Sequence, residues 1–140
     1  MNDNISCQEQ ERRKQLSDRV RATVVRVLPV KDSDETSVML VYHGFYLQIS
    51  FSEFHPLMVF YLARGLDLQG THSDRKLINE LNLSSVLGSH ALNSEVGCYS
   101  FRAAHWLDTE LSQQRLIEML DRCADEATRG YDRLMKARTS

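Results

Sequence analysis

Five histidines and three cysteines carry most of the chemistry this 140-residue chain could offer: His43, His55, His72, His90 and His105, with Cys7, Cys98 and Cys123. A zinc site needs three or four such ligands converging on a tetrahedron. No two histidines have the i, i+4 spacing that puts a ligand pair on one helix face. His90 and His105 could face one another across a hairpin with Cys98 nearby, and this is the one grouping that suggests a metal, ligand or catalytic site. Taken singly, these histidines read as surface or edge residues. Cys123 follows Arg122, which could lower a thiol pKa, but its spacing from Leu120 and Ala127 puts it on an apolar helix face, as a buried structural thiol. Asp32, Asp34 and Glu35 lack the glycine and terminal glutamate of a calcium loop and read as a solvated turn. The glycines form no phosphate-binding loop: Gly65 and Gly70 are not followed by Lys-Ser/Thr. No catalytic, cofactor or metal residue is therefore assigned.

The remaining polar candidates have plain structural readings. Arg12, Arg13, Lys14, Arg19, Arg21 and Arg26 make the first segment basic, but no aromatic residue precedes Tyr42 to stack on bases. With 17 basic and 19 acidic side chains the net charge is −2, and no pull towards nucleic acid is expected. Asn79 and Asn82 read as helix-terminating residues that tolerate a left-handed backbone.

The elements that must position these groups follow from periodicity. Leu16, Val20, Val24, Val27 and Leu28 repeat in threes and fours, which predicts a helix ending before Pro29, with residues 1–11 frayed. The β-branched run at 23–25 leaves strand open for residues 20–28. Residues 31–37 read as a loop. Val38 to Tyr42 and Phe45 to Phe51 read as strands joined at His43-Gly44, the second alternating cleanly. Leu57 to Ala63 is a third strand, apolar on both faces, so both must be covered or one must meet a partner. Thr71 and Asp74 open a short helix with Leu77, Ile78 and Leu81 on its apolar face. Leu87 to Leu92 and Cys98 to Ala104 form a hairpin across a five-residue loop. A long helix opens at Asp108 or Thr109 and carries Leu116, Ile117, Leu120, Ala124, Ala127, Tyr131 and Leu134, with Gly130 as a weak point.

The expected architecture is α+β: one domain over residues 1–140, in the order α-β-β-β-α-β-β-α, with a mainly antiparallel sheet packed by helices. No stretch approaches the roughly 20 apolar residues of a membrane span, and the polar N-terminus lacks a signal-peptide core. The odd cysteine count suggests reduced thiols and a cytoplasmic setting.

That order is similar to the class I type III secretion chaperones and to the YbjN-like family that shares their fold. Leu77-Ile78-Asn79-Glu80-Leu81-Asn82 resembles the family's helix end. Leu87 to Leu92 and Gly97 to Arg102 resemble its strand pair, and Trp106-Leu107-Asp108 the entry to its long helix. The resemblance covers roughly residues 37 to 135. It implies a cytoplasmic, non-enzymatic domain, often dimeric, and supplies no catalytic or cofactor residue. The expected function is a protein-binding module, chaperone-like or regulatory, using a sheet face or edge to hold an extended segment. The alternative is a small enzyme or ligand-binding domain built on the His90, Cys98 and His105 region. Tyr42, Tyr46, Met58, Phe60, Leu62 and Trp106 are the candidate protein contacts, because interface cores favour these residue types. A homodimer meeting at Ala103-Ala104-His105-Trp106 is also expected, unless Trp106 packs under its own chain's long helix.

Overall fold

The computed structural model describes residues 6–52, 55–67 and 72–139. Its elements are α1 (Cys7–Val27), β1 (Asp32–Ser33), β2 (Ser37–Tyr42), β3 (Phe45–Phe51), β4 (Leu57–Gly65), α2 (His72–Ser84), β5 (Ser89–Asn93), β6 (Cys98–Trp106) and α3 (Gln113–Thr139). The strands form one antiparallel sheet in the order β1-β2-β3-β4-β6-β5. Three helices pack against it, giving the expected α+β architecture, with β1 as an addition.

Residues 20–28 are helical as far as Val27. Leu16, Val20 and Val24 recur every four residues and are buried in the core, which outweighs the modest helix cost of their branched side chains. The helix also starts earlier than expected, so residues 7–11 are helical and not frayed. The Ser6 hydroxyl accepts from the Glu9 N–H at 3.1 Å, and the Glu9 carboxylate pairs with Arg12 and Arg13, each at 2.8 Å. Residues 1–5 lie outside the described region.

Between β2 and β3, His43 and Gly44 both adopt positive φ, 50° and 85°. That mirror-image turn matches the strand twist and sets the register Tyr42 to Phe45. Its direct consequence is that Leu40, Leu47, Leu62 and Phe101 stand abreast on one face, with Ile49, Phe60 and Ala103 in the next row. These residues and the apolar sides of α1 and α3 form a single core. Leu116, Leu120, Cys123, Ala127 and Leu134 supply the α3 side.

Three boundaries differ from expectation. The last hairpin pairs Asn93 with Cys98, so its loop has four residues, not five. α3 begins at Gln113, where the Ser112 hydroxyl accepts from the Arg115 N–H at 3.1 Å. Asp108 cannot cap it, because its carboxylate accepts from the Trp106 indole N–H at 3.0 Å. Finally, α2 runs on through Asn79 and Asn82 to Ser84. The proposed Thr71 cap lies outside the described residues.

Candidate protein-binding surface

The two faces of the sheet have different fates. One is buried under the helices. The other carries Met39 and Val41 from β2, Tyr46 and Gln48 from β3, and Leu57, Val59, Tyr61 and Ala63 from β4. Arg102, Ala104 and Trp106 from β6 complete it. Among the described residues no helix covers this face: Tyr46 is 74% exposed, Trp106 60% and Val41 41%. Met39, Leu57, Val59, Tyr61 and Ala63 are half-buried by their neighbours alone. A shallow concavity of about 350 Å³ opens here between Met39, Val41, Tyr46, Tyr61 and Ala63, with Lys31 at its rim.

This arrangement separates the six predicted contact residues. Tyr46 and Trp106 lie on the open face. Met58, Phe60 and Leu62 are fully buried under the helices and are not available to a partner. The pleat decides this: they alternate with Leu57, Val59, Tyr61 and Ala63, and only the odd-numbered side chains point outward. Tyr42 shares the helix side with Leu40. It is half-buried, and its hydroxyl donates to the Asp121 carboxylate of α3. Trp106 does not pack under α3. Met39, Val59 and Tyr61 belong to the open face and were missed, although the alternation of the third strand contained the signal.

Part of the β5 edge, and part of the β2 backbone beside the two-residue edge strand β1, are occupied. On β5, the Asn82 side-chain amide donates to the His90 carbonyl at 2.9 Å and accepts from the His90 N–H at 2.7 Å. Asn82 thus imitates a neighbouring strand, a different job from ending a helix with a left-handed backbone. On β2, the Lys31 N–H donates to the Met39 carbonyl and the Asp34 N–H to the Ser37 carbonyl, both at 2.9 Å. The Asp34 carboxylate accepts from the Thr36 N–H at 2.9 Å, the Ser37 hydroxyl at 3.1 Å and the Ser37 N–H at 2.8 Å, which lowers its pKa. Arg21 donates to the carbonyls of Asp34 and Glu35. The acidic loop is therefore a hydrogen-bonded turn joining β1 to β2.

The proposed His90, Cys98 and His105 grouping does not converge. His90 stands opposite Phe101, Cys98 opposite Asn93, and His105 opposite Met58. Cys98 and His105 are seven residues apart on one strand, about 23 Å at roughly 3.3 Å per residue. Among the described residues no group of three or more His, Cys, Asp or Glu side chains could hold a metal ion.

Each of these groups has a structural setting instead. His90 is 3% exposed, its Nδ1 lies 2.6 Å from the Tyr99 hydroxyl, and its Nε2 lies 3.9 Å from Glu126. A neutral ring accepting the Tyr99 O–H at Nδ1 keeps its own proton on Nε2, towards that carboxylate. Burial lowers the His90 pKa against the opposing pull of Glu126. Gly130 makes the approach possible: a Cβ there would lie 2.7 Å from both His90 Nδ1 and the Tyr99 hydroxyl. What reads in sequence as a weak point in the helix is a packing requirement. His105 lies against the Phe60 ring at 4.7 Å, its Nε2 buried and without a partner among the described residues, and burial lowers its pKa too. The Cys123 thiol is buried and pushed up to about 11 by desolvation first and Glu126 second, so it stays protonated.

Comparison with solved structures gives the architecture its place. YbjN from E. coli superposes with a TM-score of 0.61 at 8% identity, covering 81% of this chain and 86% of the other. The chain has the YbjN and type III secretion chaperone fold. The Yersinia pestis type III secretion chaperone SycH, solved with a stable fragment of YscM2, gives 0.54 at 13% identity over 81% of this chain and 97% of the other. The heterodimeric ExoU–SpcU complex from the type III secretion system of Pseudomonas aeruginosa gives 0.53 at 17%, covering 79% and 92%. At such identities the likeness is one of backbone architecture. No protein-family model and no curated protein sequence matches the chain.

Proposed function

We propose that this chain is a non-enzymatic protein-binding module, chaperone-like or regulatory, that holds part of another protein on the open face of its sheet. One observation carries the reading: an aromatic and aliphatic sheet face carries Tyr46, Trp106 and Val41 exposed to solvent. Exposed apolar surface of this kind marks interaction sites. Structures of the same fold have been solved as complexes, SycH with a YscM2 fragment and ExoU with SpcU. The enzyme alternative loses its motivation once His90, Cys98 and His105 stand apart.

The reading includes a second copy of the chain. Trp106 and Leu57 form one end of the open face, more than 10 Å along the strands from the concavity at roughly 3.3 Å per residue. A two-fold contact there would leave the concavity free. It also includes a reducing, cytoplasmic setting, supported by three free cysteines. No helix is long and apolar enough to cross a membrane. The test is capture from native cytoplasm with wild type and with Ala63→Trp, which fills the concavity. Proteins retained by wild type and lost by the folded variant are the expected result; identical sets would refute the use of this face.

A further inference from the structure

His90 joins β5 to three other elements, and the geometry suits only its neutral form. The ring lies between β6 and α3. Its Nδ1 is 2.6 Å from the Tyr99 hydroxyl, the Phe101 ring meets it edge-on at 5.0 Å, and a Cβ on Gly130 would lie 2.8 Å from its Cε1. Its backbone N–H and C=O are both held by Asn82 of α2. Tyr99 is fully buried, and among the described residues its hydroxyl has no hydrogen-bond partner but His90 Nδ1. That buried hydroxyl hydrogen is satisfied only when the O–H donates and Nδ1 accepts.

A proton added at Nδ1 sets two donors against each other at 2.6 Å. Turning the ring over is no remedy, because both nitrogens of the charged ring donate. The groups around the ring offset this only in part. On α3, Glu126 lies 3.9 Å from Nε2, but its other carboxylate oxygen is held by Arg129 at 2.6 Å. Cys123 on the same helix is a protonated thiol. β6 presents Tyr99 and Phe101, and α2 the neutral Asn82 amide, while Glu80 of α2 pairs with Arg133 at the surface at 3.7 Å. Burial outweighs the pull of Glu126, so the docked ring titrates below the ordinary value of 6.5.

α2 is the element that can yield. Among its described side chains only Leu81 and Asp74 are buried, Leu77 and Ile78 are half-buried, and Leu83 is 80% exposed. α1 and α3 each bury a whole apolar stripe. Elements with little buried apolar surface open first. Both Asn82 bonds end on the backbone of His90 itself, so a shift of residue 90 that lifts its ring from Tyr99 breaks them together. We infer that His90 is a pH-operated latch, whose protonation undocks the C-terminal half of α2 from β5 while the rest of the sheet stays folded. The Asp74–Arg138 pair, at 2.9 Å, keeps the other end of α2 tied to α3. The latch is independent of what the open face binds.

The test is an NMR titration of the full chain from about pH 7.5 to about pH 5, following the His90 ring and the backbone amides. Below pH 6.5 the undocked population should rise by up to about tenfold per pH unit, because undocking frees His90 to take its proton. The amides of residues 79–84 and of His90 should shift with the midpoint of the His90 ring. They should also lose exchange protection, after correction for the intrinsic pH dependence of exchange, while β3 amides stay protected. His90→Asn puts a non-titrating oxygen in place of Nδ1 and leaves the other histidines unchanged, so it should keep α2 docked throughout. Four results overturn the latch: a ring that titrates with α2 unmoved, a ring that does not titrate before the chain unfolds, α2 and β3 amides exchanging at one common rate, and a response that survives in folded His90→Asn. The wild-type titration decides the matter by itself if that variant does not fold.

Discussion

Gly130 shows how one absent methyl group can set a local architecture. With nothing beyond its Cα, α3 approaches β5 and β6 closely enough for His90, Tyr99 and Glu126 to share a dry polar cluster. Gly130→Ala should therefore destabilise the fold by about 1–3 kcal/mol, because overpacking outweighs the roughly 1 kcal/mol that alanine gains in helix propensity. Urea melts of the variant measure this directly; a net gain in stability would mean that the cluster yields without strain. The pleat gives a second single-residue test. Ile49 is fully buried and Gln48 exposed on the opposite face. Ile49→Asp should cost several kcal/mol, roughly 3–5, and Gln48→Asp less than about 1, with equal losses contradicting the register.

Closure of the sheet belongs to the scale of elements. α2 meets the sheet at β5, where one asparagine satisfies both backbone groups of His90. Asn82→Ala should cost about 1–3 kcal/mol by orphaning a backbone donor and acceptor. It should also speed hydrogen exchange at the His90 amide more than at amides of β3. Uniform acceleration through the sheet would show that Asn82 acts on global stability, with no local closure. At the other edge β1 has only two residues, and the flanking Lys31 and Asp34 N–H groups donate to the β2 carbonyls of Met39 and Ser37.

At the scale of the whole molecule, the layer between sheet and helices holds two histidines whose charged forms burial disfavours. Their folded-state pKa values lie below the ordinary value of 6.5. The unfolded chain therefore binds more protons in that range. Stability is fully present above about pH 6.5 and is lost as pH falls through that value towards the lower folded-state pKa. The loss is about 1.4 kcal/mol for each unit of depression. Denaturant melts from about pH 7.5 to about pH 5 should show it, and His105→Phe should flatten the slope; an unchanged slope would assign the effect to other groups. Assembly is the other whole-molecule question. With Trp106 exposed and held by Asp108, Trp106→Ala should leave the melting temperature within a few degrees while converting a dimer to a monomer in light scattering. A wild-type monomer at high concentration would end the homodimer proposal.

Periodicity placed the three helices and the five longer strands in order, because side-chain direction in a regular element follows from spacing of two or three to four residues; it left residues 20–28 open between helix and strand and gave no sign of β1. The alternation of Phe45, Leu47, Ile49 and Phe51, and the heptad-like run from Leu116 to Leu134, needed nothing else. The same rule showed that the third strand has two apolar faces, but not which one the helices would take. That was decided by the His43-Gly44 turn and the pairing of β4 with β3 and β6, which put Phe60 in line with Ile49 and Ala103. Met58, Phe60 and Leu62 were thereby placed under the helices, and Met39, Val59 and Tyr61 on the open face. The roles of Asn82 and Gly130 were hidden for a related reason. Each acts on a partner brought near only by folding, and no local spacing records the distance from Gly130 to His90.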